Sequence, residues 1–138
     1  MSAAAGISQT IFQENVLKQI PNSFTDMLAA WNERDLTQIQ VHIDKSIAEN
    51  VVFADPANFI HGKYAFELMI KNFRLKYPES VCQRTSGIDS HNNRYRYSWK
   101  ITVGEMLIVA GLDVAQLNKN GLVERIDGFF GDLPPLES

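Results

Sequence analysis

The stretch that most constrains the fold is Leu107–Phe130, LIVAGLDVAQLNKNGLVERIDGFF. Two strand-like runs flank Asn118-Lys119-Asn120-Gly121, and Asn-Gly is the dipeptide that tolerates the positive φ angles of a tight hairpin. Side chains along a strand alternate between faces, so the hairpin can be read for parity. Leu107, Val109, Gly111, Ala115 and Leu117 share a face with Asp113. A two-residue turn at Asn120-Gly121 sets Lys119 opposite Leu122 and Asp113 opposite Gly128. Leu122, Ile126, Gly128 and Phe130 then join the Asp113 face, and Val123, Arg125, Asp127 and Phe129 lie on the other. A slip of one residue would exchange those sets. A carboxylate in an apolar row is costly to bury unless it is paired, hydrogen-bonded or protonated, which makes Asp113 a candidate functional group in an apolar concavity.

The remainder of the chain supplies what covers that concavity. Ser8 can cap a helix from about Gln9 to Gln19, ended by Pro21, so residues 1–21 read as an N-terminal extension and 22–138 as a single domain. Ser23 is the expected cap of a second helix, with Phe24, Met27, Leu28 and Trp31 on one face. Asp35 is the expected cap of a third, with Leu36, Ile39 and Ile43 inward. Val51–Ala54 is a short strand, and proline holds the residue before it extended, so Asp55 of Asp55-Pro56 is fixed at the strand end. His61-Gly62 makes a turn. Lys63–Lys76 reads as a helix with Ala65, Leu68, Met69, Asn72 and Phe73 inward, followed by strands over Val81–Ile88 and Arg94–Val103. In the last of these, Tyr95, Tyr97, Trp99, Ile101 and Val103 alternate with Arg94, Arg96, Ser98, Lys100 and Thr102. Either set can face inward. Helices first and antiparallel strands later argue for an α+β fold, a cone-shaped, curved, mostly antiparallel sheet wrapped around the helices and enclosing a pocket.

Composition narrows the function classes. A chain of 138 residues, 45% of them hydrophobic, is the size of one domain with a real core. Its net charge of −3, with no cluster of Lys and Arg on one face, argues against nucleic acid. The longest apolar run, Met106–Leu112, is too short to span a bilayer. A single cysteine, Cys82, rules out an internal disulfide, and the opening MSAAAGISQT lacks the basic and apolar segments of a secretory signal, so a cytoplasmic location is expected. His42, His61 and His91 have no second ligand at a zinc-like spacing, and no metal site is expected.

Three features in this order, FADP at 53–56, IHGK at 60–63 and the closing hairpin, resemble the nuclear transport factor 2-like superfamily, in particular its SnoaL-like branch and the ketosteroid isomerases, over about Asn22 to Phe130. The resemblance implies that Asp55 stands where those isomerases keep their general base, and Asp113 where they keep a protonated carboxylic acid that hydrogen-bonds the dienolate oxygen; that isomerase is itself a standard illustration of two aspartates set to different roles by environment. The family's hydrogen-bonding tyrosine falls near Met27, and methionine cannot donate. The strand aligned on the isomerases puts Arg96 and Ser98 inside.

The expectation is therefore a pocket for a small hydrophobic carbonyl compound, needing no cofactor. Asp55 and Asp113 would be catalytic, and Met27, Trp31, Phe53, Met69, Phe73, Arg96, Trp99, Ile126 and Phe130 would line the pocket. Two alternatives stand beside it: a non-catalytic binding domain for an apolar ligand or partner protein, and, ranked lower, a site resembling limonene epoxide hydrolase, for which Arg96, Asp113 and Asp127 are the nearest candidates to activate water although the hairpin parity sets Asp127 on the opposite face from Asp113. More apolar sheet face is expected than the helices can cover, which predicts a homodimer through the sheet.

Overall fold

The computed structural model describes residues 20–137; the helix expected over Gln9–Gln19 lies outside the described residues. Within them, α1 (Asn22–Asn32), a 3-10 turn (Leu36–Gln38) and α2 (Ile39–Ser46) precede β1 (Ile47–Asp55) and β2 (Asn58–His61). Then come α3 (Lys63–Lys76), β3 (Ser80–Arg84), β4 (Asp89–His91), β5 (Arg94–Val103), β6 (Met106–Leu117) and β7 (Val123–Phe130). The strands form one sheet in the order β2-β1-β7-β6-β5-β3, with β4 on the end of β5. Neighbours are antiparallel except β1 and β7, which run parallel. This is an α+β fold with its helices on the concave side of the sheet.

The core lies between that concave face and the helices. Ile39 and Ile43 of α2, Ile47 and Val51 of β1, Phe66 and Ile70 of α3, and Val123 and Ile126 of β7 are all fully buried. Asp35 ends the extended segment after α1 by accepting the Thr37 N–H at 3.0 Å, which opens the 3-10 turn. The cap of α1 is different from the expected one. Pro21 occupies the position before the helix and takes the Phe24 N–H on its carbonyl, while Ser23 is buried inside the first turn.

Several element boundaries differ from the sequence reading for identifiable reasons. Strand β1 begins four residues earlier than the apolar run suggests, because Glu49 and Asn50 lie exposed at an irregularity in its pairing with β7. The chain after Pro56 returns as β2, with Asp55 opposite Asn58 in a tight hairpin. The strand expected over Val81–Ile88 ends at Arg84, where the Ser86 hydroxyl and the Thr85 N–H bond the backbone of Ser98, and a separate short strand, β4, follows only at Asp89–His91. In α3 the buried stripe is Phe66, Glu67, Ile70 and Arg74, and Leu68 faces outward. Two charged residues within the buried stripe hid its true phase.

The hairpin holds a compensation. Its turn is not the two-residue type: Asn118 accepts the Gly121 N–H on its carbonyl, its side chain accepts the Asn120 and Leu122 N–H groups, and only Gly121 takes a positive φ, +79°. A bulge between Gln116 and Leu117 then offsets the longer turn. Asp113 is left opposite Gly128. Near the turn the faces are exchanged, so Val123 and not Leu122 is buried. A second bulge in β6, opposite Ile101 and Thr102, likewise exposes Leu107.

Arg74 fastens the helical layer to the sheet. The residue is 2% exposed, and its guanidinium donates to the carbonyls of Trp31, Pro78 and Ser80 and to the Ser80 hydroxyl, at 2.8–3.3 Å. Arg74→Ala would strand these buried acceptors, and we expect it to lower the unfolding free energy in urea by about 3 kcal/mol.

Candidate functional site

A cavity of about 520 Å3 lies between the concave sheet face and helices α1 and α3. Met27 and Trp31 reach it from α1, Met69 and Phe73 from α3, Phe53 from β1, Trp99 from β5, and Ile126 and Phe130 from β7. Edge-to-face contacts fix the aromatic part of the wall: Trp31 against Phe73 at 5.6 Å between centroids, Phe53 against Phe66 at 5.7 Å, and Trp99 against Phe130 at 5.9 Å. The alternation along β5 resolves with Tyr97, Trp99 and Ile101 inward.

Arg96 is consequently outside, which corrects its place among the pocket residues. It pairs with Asp89 at 2.8 Å on the exposed surface, because β4 adds to β5 at that point and supplies the acid. Asp127 is also outside, paired with Arg125 at 2.9 Å. Arg96, Asp113 and Asp127 are thus not brought together, and the epoxide hydrolase-like cluster does not form. The cation that does reach the cavity wall from the sheet is Arg84, set opposite Trp99 in the β3–β5 ladder.

Both candidate acids line the cavity. Asp55 ends β1, and its Oδ1 accepts the backbone N–H groups of Ala57 and Asn58, each at 2.8 Å, and the Asn58 amide at 3.2 Å. This is the side-chain turn that aspartate makes before proline. All three bonds fall on one oxygen, and Oδ2 has no hydrogen-bond partner among the described residues.

Asp113 projects from the middle of β6. Gly128, directly opposite, leaves the room it occupies: a Cβ there would stand 2.8 Å from Asp113 Oδ1 and 3.3 Å from the Asp55 Cβ. The two acids therefore flank the same vacant glycine position. The Trp99 indole N–H donates to Asp113 Oδ1 at 2.9 Å, and the Tyr97 hydroxyl stands 3.4 Å from Oδ2. Burial pushes the Asp113 carboxyl up from its ordinary 3.8 to about 6; the two donors pull it down, and the charge of Asp55 adds to the rise. Burial, then the Asp113 charge, holds the Tyr97 hydroxyl well above its ordinary value, and burial sends the Cys82 thiol, also on the wall, to about 12. Tyr97 and Arg84 were not singled out in the sequence. For Tyr97 the signal was present as the alternation along Arg94–Val103, which alone did not say which face is inward; for Arg84 no such pattern was read.

No family model matches the chain, and no curated protein does. Solved structures do. A candidate isomerase of the SnoaL-like family from Agrobacterium tumefaciens superposes with a TM-score of 0.74 at 28% identity, over 80% of this chain and 96% of that one. An NTF2-like protein of unknown function from Exiguobacterium aligns at 0.66 and 12% identity, over 80% of this chain and 99% of the other. A candidate polyketide cyclase from Sinorhizobium meliloti aligns at 0.64 and 11%, over 79% and 94%.

The raised carboxyl gives a pH signature of fixed sign. Between pH 4 and 6 the folded state keeps the Asp113 proton that the unfolded chain has released, so stability falls as pH rises through this window and levels off above it. The loss is about 3 kcal/mol at 1.36 kcal/mol per pKa unit. Urea unfolding of wild type and Asp113→Asn across pH 4–8 should show that slope in the wild type and its disappearance in the variant.

Proposed function

This chain has the nuclear transport factor 2-like fold and SnoaL-like structural neighbours, and from that premise we propose that it binds a small apolar carbonyl compound and moves a proton on it. The observation that supports this reading is the pair of carboxyl groups either side of Gly128 in one apolar cavity, one of them shifted to about 6. Their environments differ, as proton transfer requires. Asp55, with Oδ1 committed to its turn, presents Oδ2 as the base. It takes a proton from the carbon next to the carbonyl, the C–H electron pair moves into the new C=C bond, and the carbonyl oxygen gains charge. Asp113, protonated, donates to that oxygen. A ligand that displaces the remaining water raises the Asp113 carboxyl further by the same desolvation.

The turn bonds on Asp55 Oδ1 favour a second reading, in which Asp55 is structural and the cavity only binds. Deuterium exchange at the α-carbon of cavity-binding ketones, followed by NMR, separates the two. Under the proton-transfer reading Asp55→Asn abolishes exchange, and Asp113→Asn slows it by about 10² or more, the usual effect of deleting one such donor. Tight binding without exchange in the wild type would sink proton transfer and leave the binding module.

We infer further that two copies pair through the convex sheet face. There Leu112 and the 65%-exposed Phe129 stand opposite one another in the β6–β7 ladder. Phe129→Glu should convert a dimer to a monomer in sedimentation velocity; a wild-type monomer would defeat the idea.

A further inference from the structure

The charged side chains that line the cavity are Asp55, Asp113, Lys76 and Arg84. The two acids flank Gly128 within the sheet. The two cations belong to the margin: Lys76 is the last residue of α3, and Arg84 is the last residue of β3, the strand that ends the sheet order. Both are exposed residues that still reach the cavity wall. Neither has an acid partner among the described residues, since Glu79 and Asp89, the acids nearest to Arg84 in sequence, pair with Arg34 and Arg96.

Arg84 is aimed by its strand and held by the turn that follows. Ser80, buried, and Cys82, on the cavity wall, alternate with the exposed Val81 and Gln83, so parity turns Arg84 to the concave side, where its ladder partner Trp99 also lies. Nη1 donates to the Ser86 carbonyl at 3.0 Å, and Ser86 is itself fixed, because its hydroxyl accepts the Ser98 N–H at 2.8 Å. The other N–H groups of the guanidinium have no protein acceptor among the described residues. Its charge is felt inside the cavity: burial and then the Asp113 charge raise the Tyr97 hydroxyl, and Arg84 is the charge that opposes the rise. Lys76 differs, being a point charge with Nζ 5.4 Å above the Tyr77 ring. The strand of Arg84 and the strand of Asp113 are two ladder spacings apart, about 10 Å between backbones.

We propose that Arg84 determines specificity by taking the carboxylate of a ligand whose apolar, carbonyl-bearing part lies among the aromatic walls, so that the cavity accepts keto acids in preference to neutral ketones. A planar guanidinium with one N–H anchored offers the rest of its fork to two carboxylate oxygens, a geometry that an ester or an amide does not match. Pairing at the margin also fixes which end of the ligand enters, and a ligand oriented in this way brings its carbonyl end toward the acids. The carbonyl and its chemistry rest on the proton-transfer reading. The carboxylate subsite does not, and it serves a cavity that only binds equally well.

The test titrates the full chain with benzoylpropionate, its longer-chain homologues and their methyl esters, followed by tryptophan fluorescence at pH 6, where an ordinary carboxyl with a pKa of about 4.3 is ionised. We expect the wild type to bind one chain length of the acid about tenfold more tightly than its ester, the scale of one well-formed charged pair. Arg84→Gln should lose that preference while ester binding stays within twofold, which also reports an intact cavity. Arg84→Lys should recover only part of it, and Lys76→Gln should keep it. Equal binding of acid and ester by the wild type, or no binding of either, overturns the subsite. So does a preference that survives Arg84→Gln, or one that Lys76→Gln removes as fully, since a general positive field and not a guanidinium would then be selecting the acid. Deuterium exchange on the bound esters keeps the two readings apart: exchange without an acid preference defeats the subsite alone, and an Arg84-dependent preference without exchange defeats proton transfer alone.

Discussion

The structure turns on a carboxyl group removed from water without a cation. Asp113 stands in the middle of an apolar wall, faces an aromatic lining and receives its hydrogen bonds from neutral donors, the indole of Trp99 and the phenol of Tyr97. Neutral donors ease the charged form without fixing it, whereas an arginine at the same distance would have locked the group ionised. The two arginines of the neighbouring surface, Arg96 and Arg125, are each occupied by an acid on the convex side. With Arg96 and Arg125 paired on the convex side, and Arg84 on the cavity wall donating to the Ser86 carbonyl and not to the acid, Asp113 stays adjustable.

Parity made this group legible in the sequence. One charged residue in an alternating apolar row, opposite a glycine, is a strong signal because strand geometry leaves only two directions for a side chain. Even so, the pairing of Asp113 with Gly128 arises by a route the sequence did not reveal, a longer turn offset by a bulge. Val123 and Leu107 show where that matters, since their faces are reversed locally. Bulges carry no composition of their own, and parity holds only between them.

Elsewhere legibility followed the number of faces an element has to satisfy. The long strand Arg94–Val103 was clear as a strand, but its inward set was open, because aromatics suit a cavity and a subunit interface equally well. Arg96 was drawn inward by resemblance and lies outward because β4 supplies Asp89 to meet it. In α3 the buried Glu67 and Arg74 broke the apolar stripe; Glu67 is met by Lys71 one turn along the same helix, and Arg74 by the carbonyls of Trp31, Pro78 and Ser80 beyond it. Hydrophobic periodicity reads transfer free energy and is blind to polar groups buried with their partners.

The parallel pairing of β1 with β7 carries a consequence for how the molecule comes into being. Asp55 and Asp113 meet across Gly128, and Gly128 reaches that place only when the final strand docks beside a strand about seventy residues earlier in the chain. Closing a loop of that length is entropically late, since local hairpins and helices offer contacts sooner. The β5–β6 ladder can therefore present Asp113 and Trp99 before Asp55 has a neighbour. The part of the cavity wall that holds both acids is thus completed only when β7 docks on β1.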